Sequence, residues 1–121
     1  MIKYKAYFNS EEFDSPDLPG SGENMKMEFI NQLITVRDLY NNPINISSGY
    51  RTMKHNKNVG GKSNSAHLRG YAADLVVNNS YERLMILRAV ILTGFTRVGI
   101  ANDFIHIDCD PSLPQNVLWK Y

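Results

Sequence analysis

The chain has 121 residues, of which 43% are hydrophobic and 21% charged, and its formal net charge is +1. This length suits one domain with its own hydrophobic core over residues 1–121. The near-neutral charge argues against a protein that coats nucleic acid, which would carry a strong basic excess. The single cysteine, Cys109, excludes an intrachain disulfide bond.

The N-terminal stretch Met1–Phe8 lacks the long apolar core of a signal peptide. No run approaches the ~18 apolar residues that a membrane span needs. We therefore expect a monomer that is made in the cytoplasm and has no stable association with a membrane.

Turn signals and hydrophobic periodicity predict a loop up to about Gly22, then two long helices and one short helix. The first long helix begins at Glu23 or Asn24 and ends at Tyr40, and the second covers 81–92. The short helix lies within 49–56 and is capped by Thr52. Along one side of the second long helix lie Leu84, Leu87, Arg88 and Ile91.

Short strands are predicted over 44–48, 71–77, 97–100 and 104–108, with hairpin-like links between them. Helices and strands in this proportion indicate an α+β fold in which helices pack on a small antiparallel sheet. In the tail, we expect Trp119 and Tyr121 to cover one edge of the sheet, with a contact to substrate as the alternative.

Three dispersed side chains form the most definite chemical set of the sequence. His67, Asp74 and His106 offer two imidazoles and one carboxylate, the ligands of a zinc site that keeps its fourth position for water. Asp74 lies among apolar residues, where a buried carboxylate is costly without a cation or hydrogen-bond donors. From the pattern alone, a hydrogen-bonded histidine and an aspartate that caps a turn remain open as ordinary alternatives.

Two further acids flank His106. Asp103, three residues earlier, is a spare carboxylate for a general base. Strict alternation would place it on the opposite face from His106. For Asp103 to act beside His106, the strand must therefore begin at or after Phe104, with Asp103 in the preceding turn. Asp108 shares the face of His106 and is expected to hold its other ring nitrogen, with a solvated acid at the strand end as the alternative.

The pattern Ser65-x-His-x-x-Gly-x-Ala-x-Asp74, followed by Asp103-x-x-His106, resembles a known family. It is similar to the zinc D-alanyl-D-alanine carboxypeptidases and related peptidoglycan peptidases, whose fold is shared with the Hedgehog signalling domain. The resemblance spans about Ile44 to Asp110. Four other segments match as well: Ser48–Thr52, His55–Asn56, Val59–Gly61 and Gly99–Ala101.

This resemblance implies one zinc ion bound by His67, Asp74 and His106. It also implies that Asp103 is the catalytic acid and base and that Arg51 lies near the scissile carbonyl. Ser65 would lie at the edge of the site that faces the substrate.

The implied activity is hydrolysis of a peptide bond in the stem peptides of peptidoglycan. The chain looks most like phage endolysins, which act on the host cell wall. A bacterial D-Ala-D-Ala carboxypeptidase or dipeptidase is one alternative, and an inactive zinc-containing wall-binding module is another. Asp103 and Arg51 weigh against the inactive module, because it would need a groove but no base. The bond that is cut stays open among L-Ala-D-Glu, D-Ala-D-Ala and D-Ala-diaminopimelate.

Overall fold

The computed structural model describes all residues, 1–121, and has three α-helices and seven strands. The helices are α1 (Met27–Tyr40), α2 (Met53–Asn58) and α3 (Ser80–Thr93). The strands are β1 (Lys3–Tyr4), β2 (Phe8–Asn9), β3 (Ile46–Ser48), β4 (Ala72–Val76), β5 (Arg97–Ile100), β6 (Phe104–Asp108) and β7 (Val117–Lys120). None of the helices has the length and apolarity that a membrane crossing requires.

The main sheet has five strands in the order β3-β4-β6-β5-β7, and β1 pairs with β2 separately. The predicted α+β class is confirmed, because α1 and α3 cover one face of this sheet with a shared core. The pairs among β3, β4, β6 and β5 are antiparallel, as predicted. The sheet is nevertheless mixed, since β7 runs parallel to β5. The sequence did not predict β7, which a segment with two prolines separates from β6.

The two long helices differ in detail from their predicted positions. Helix α1 begins at Met27 because Ser21–Asn24 forms a separate 3-10 turn. Helix α3 begins at Ser80, and the Asn79 side chain caps it by accepting from the Glu82 N–H at 2.9 Å. Its core-facing residues are Ile86, Ala89 and Val90.

The side of α3 that carries Leu84, Leu87, Arg88 and Ile91 is not the face that is fully buried against the core. Leu84 and Ile91 are 64% and 52% exposed. Apolar residues surround much of this helix, so their spacing alone does not select the face that meets the sheet.

The N-terminal segment is more ordered than the predicted loop. Tyr4, Phe8 and Phe13 are buried, and their rings meet edge to face at centroid distances of 5.9 to 6.1 Å. Phe13 also packs against the chain at Gly49, where an added Cβ would lie 2.6 Å from the Phe13 Cα. The segment therefore supports the strand end that leads into the candidate site.

Candidate metal centre

Three buried side chains from three different elements converge on the face of the sheet that the long helices leave free. His67 lies in a 3-10 turn (Ala66–Arg69), Asp74 in β4 and His106 in β6. Asp74 and His106 are directly opposite each other in the β4–β6 register. The three residues are only 2 to 6% exposed. The pairing of two predicted strands thus brings together residues that are far apart in the sequence.

The donor atoms of the triad lie within 4.8 Å of one another. Asp74 Oδ1 is 3.3 Å from His67 Nε2 and 3.0 Å from His106 Nδ1. The other ring nitrogens have acceptors of their own: His67 Nδ1 donates to the Gly49 carbonyl oxygen at 2.7 Å, and His106 Nε2 donates to Asp108 Oδ2 at 2.7 Å. In the neutral imidazoles these acceptors hold the single ring N–H, so the nitrogen that faces Asp74 is the one that a metal can take once any proton on it is lost.

This donor set fits one metal ion. Two imidazole nitrogens and one carboxylate are typical ligands of zinc in sites that keep an open position. The outer hydrogen bonds to Gly49 and Asp108 are the usual means by which proteins orient metal-binding histidines.

The electrostatics of the triad also suit a cation. Burial alone would raise the pKa of Asp74, but hydrogen bonds from His106 and His67 outweigh it and hold this pKa well below its usual range. Burial lowers the pKa of His67 against the opposing effect of Asp74. For His106, burial also acts downward, yet its hydrogen bonds to Asp108 and Asp74 raise the pKa. Asp74 is therefore ionised and ready to hold a metal ion, and His106 would have to lose any proton on Nδ1 in order to bind one.

Asp108 is itself held by the neighbouring strand. Its Oδ1 accepts from Arg97 Nε at 2.7 Å and from the Asp110 backbone N–H at 3.2 Å, and the residue is 1% exposed. The structure therefore places Asp108 in a buried hydrogen-bond network and not at a solvated strand end. Arg97 was not among the predicted site residues, and it is the β5–β6 register of the structure that places it opposite Asp108.

Arg51 and Ser65 both contact the turn that carries His67. Arg51 Nη2 is 3.4 Å from Asp74 Oδ2, the carboxylate oxygen that the histidines leave free. Ser65 Oγ accepts from the His67 backbone N–H at 3.2 Å and caps the turn. The structure thus brings both residues into contact with the triad or its immediate backbone.

Asp103 is outside this convergent group. Strand β6 begins at Phe104, and Asp103 lies in the exposed bend before it, as the sequence predicts. Its backbone oxygen accepts from the Val77 N–H at 2.9 Å, which fixes the bend at the end of the sheet. Its carboxylate is not among the donors that converge within 4.8 Å.

Aromatic rings from β7 and from Tyr121, the residue that follows it, form a wall beside His106. The ring centroid of Trp119 lies 5.4 Å from that of His106, and that of Tyr121 lies 5.1 Å from that of Phe104. The wall depends on Gly99, because an added Cβ would meet Trp119 Nε1 at 2.5 Å. The predicted cover of a sheet edge is therefore also one side of the site.

Cys109 does not belong to the donor set. It is partly buried and packs against the edge of the hydrophobic core. Burial, together with the nearby charges of Asp108, Glu28 and Asp110, raises the pKa of its thiol to about 12. A thiol that stays protonated is a poor metal ligand.

Comparison with known proteins agrees with this geometry. The family described as Peptidase M15 matches residues 6–108, a range that includes the triad, Arg51, Ser65, Asp103 and Asp108. A stretch of 33 residues is 54% identical to the zinc D-Ala-D-Ala carboxypeptidase of Streptomyces albus G. This stretch covers 27% of the chain and 13% of that relative's length. Because the family match extends over most of its residues, the chain belongs to the peptidase M15 family.

Proposed function

We propose that this protein is a zinc-dependent peptidase that hydrolyses a peptide bond in the stem peptides of peptidoglycan. The observation that carries the proposal is the buried group of His67, Asp74 and His106, in which Gly49 and Asp108 set the two tautomers. Buried imidazoles that each present a second ring nitrogen to an ionised carboxylate are arranged for a cation and not for packing.

His67 Nε2, His106 Nδ1 and the Asp74 carboxylate would hold the zinc ion. A zinc ion at this position supplies a Lewis acid that polarises a substrate carbonyl and makes water acidic enough to lose a proton near neutral pH. Asp108 keeps the Nε2 proton of His106 and so holds the ring in the orientation that presents Nδ1.

Two charged residues would carry the proton and charge changes of hydrolysis. Asp103 accepts the proton of the attacking water and delivers it to the leaving amine. Arg51 stabilises the negative charge that develops on the carbonyl oxygen, since its guanidinium stays charged at all relevant pH values. Ser65, whose oxygen already accepts from the His67 N–H, retains its own hydroxyl hydrogen to donate to the substrate backbone.

The substrate is proposed from the similarity to a known protein. The matched protein from Streptomyces albus G is named as a zinc D-Ala-D-Ala carboxypeptidase, which favours a cell-wall peptide as substrate. It also supports carboxypeptidase activity as the second candidate beside endopeptidase activity. The finer proposal of a phage endolysin rests on the sequence resemblance.

Digestion of purified peptidoglycan by the zinc-loaded protein tests the proposal. We expect new peptide termini in mass spectra of the products, and we expect a chelator to prevent them. A release of free D-alanine alone would indicate a carboxypeptidase, whereas internal cuts would indicate an endopeptidase. Stoichiometric zinc without any new termini would contradict the proposal and favour a wall-binding module without activity.

A further inference from the structure

The guanidinium of Arg51 is held by three different partners. Its Nε donates to Ser48 Oγ at 3.0 Å, its Nη1 to Asn56 Oδ1 at 3.3 Å and its Nη2 to Asp74 Oδ2 at 3.4 Å. The Arg51 side chain is 15% exposed. Since a guanidinium has five N–H groups, these bonds leave two of them free, one on each terminal nitrogen.

Asn56 is the least expected of these partners. It is 4% exposed although it lies in the short polar helix α2. Its Nδ2 donates to the Lys62 carbonyl oxygen at 2.9 Å, and its own backbone oxygen accepts from the Gly61 N–H at 2.8 Å. The amide therefore joins Arg51 to the loop that follows α2.

The close approach of this loop requires a glycine. A Cβ at Gly61 would lie 2.0 Å from Asn56 Oδ1 and 3.1 Å from Arg51 Nη1. The absence of that atom lets the backbone close over the amide. Asn56, Gly61 and Lys62 thus form a clamp on the guanidinium. In this clamp the Asn56 amide contacts Arg51, and the backbone at Gly61 and Lys62 holds the amide in place.

We infer that Asn56 is a positioning residue, which fixes the guanidinium of Arg51 so that its two free N–H groups face the substrate oxygen. The inference rests on the proposed function and deepens it. A neutral amide suits this task, because it orients the guanidinium without neutralising its charge. A carboxylate at position 56 would pair with the cation and compete with the developing negative charge on the substrate.

The first test is spectroscopic and does not depend on catalysis. We compare the ¹⁵N–¹H signals of the Arg51 side chain in the wild type, in Asn56→Ala and in the matched control Asn58→Ala. Asn58 is an exposed asparagine in the same helix. We expect hydrogen exchange of the Arg51 side chain to accelerate by about 10-fold or more in Asn56→Ala and to stay unchanged in the control. The Arg51→Ala variant identifies the signals.

The second test is kinetic. We expect Asn56→Ala to lower kcat by roughly 10- to 100-fold, with zinc stoichiometry unchanged and KM altered by less than about 3-fold. In an Arg51→Ala background, the same substitution should change kcat by less than about 2-fold, because the group that it positions is already absent.

Two outcomes would overturn the inference. One is an Asn56→Ala protein with wild-type exchange at Arg51, and the other is an equal kinetic loss with and without Arg51. If Asn56→Ala does not fold, Gly61→Ala takes its place, since the added methyl group displaces the same amide. If the wild type cleaves no peptide, the proposed function fails, while the exchange measurement still decides whether the clamp holds Arg51.

Discussion

The two faces of the five-stranded sheet are both buried, but different forces hold them. On the helix-covered face, Leu75, Ile105 and Ile107 are fully buried among apolar side chains. On the opposite face, Asp74 and His106 are each 6% exposed and contact partners of opposite or complementary charge. Successive residues of the same two strands alternate between these environments.

Within a single strand, the residues of the apolar face therefore serve stability and those of the polar face serve chemistry. Burial of an apolar side chain stabilises the folded state by about 25 cal/mol per Å² of apolar surface, whatever its exact neighbours. A buried charge is stable only if every one of its partners is present, because the loss of one partner leaves the others unpaired. We therefore expect substitutions on the apolar face to change the free energy of unfolding and those on the polar face to change metal binding.

The largest effect is expected for His106→Ala. This change removes one of the three donors and leaves Asp74 and Asp108 without their shared partner. We expect zinc binding and peptidase activity to be lost, as measured by metal analysis after dialysis and by product formation. The control Ile105→Val, one residue away on the apolar face, should keep full metal content. Full zinc stoichiometry in His106→Ala would remove this histidine from the ligand set.

The apolar face is tested by Ile107→Ala. The substitution leaves a cavity in the core and should lower the free energy of unfolding by about 2 to 5 kcal/mol, as measured by denaturant titration. Leu118→Ala is the control, since Leu118 is 58% exposed on β7 and should cost less than about 0.5 kcal/mol. Zinc content per folded molecule should be unchanged in both variants. A loss of zinc from folded Ile107→Ala would show that the two faces are not independent.

A smaller effect is expected for Asp103→Asn. The variant should keep its fold and zinc but lose about 10²-fold in kcat, because the neutral amide cannot accept the proton of water. Asn102→Ala, in the same exposed bend, is the matched control and should be active. If turnover of Asp103→Asn were near normal, the general base would have to be another residue.

The smallest effect is expected for substitution of Asp110, which links the turn that carries His67 to the segment after β6. Burial acts to raise the pKa of its carboxyl, but hydrogen bonds from Ser112 and Arg69 outweigh it and lower the pKa below the usual value. The ionised form is therefore favoured by folding, so its contribution is present above about pH 4 and is lost as the pH falls through the lowered pKa.

This contribution can be isolated by comparing the wild type with Asp110→Asn. We expect the free energies of unfolding to differ by on the order of 1 kcal/mol at pH 6 and to converge as the pH falls through the lowered pKa of Asp110. The measurement is a series of denaturant titrations over that range. A difference that stays constant with pH would mean that the charge of Asp110 is not responsible.

The sequence predicts the polar face well because its signals are local. Asp74 is conspicuous among apolar residues, and alternation around Ile105 and Ile107 places His106 and Asp108 together. The bend at Asp103 follows from the same alternation. These inferences need only the strand period and the cost of burying a charge.

Other parts depend on contacts that no local pattern reveals. Strand β7 is placed by parallel pairing with β5, across a connection whose path the sequence does not specify. Among the buried aromatic residues near the N-terminus, Tyr4 and Phe8 lie in strands of two residues and Phe13 lies in a 3-10 turn of four, and such segments are too short for any periodicity. The acceptor for His67 Nδ1 is a backbone oxygen of Gly49, and backbone acceptors have no signature in side-chain type.

The position of Trp119 has a practical consequence. It is the single tryptophan of the chain, and its ring lies 5.4 Å from that of His106. Its fluorescence therefore comes from one place, in contact with an imidazole whose protonation changes when a cation binds. We therefore expect binding of a cation at the centre to change the emission intensity of Trp119, which would report occupancy without a label.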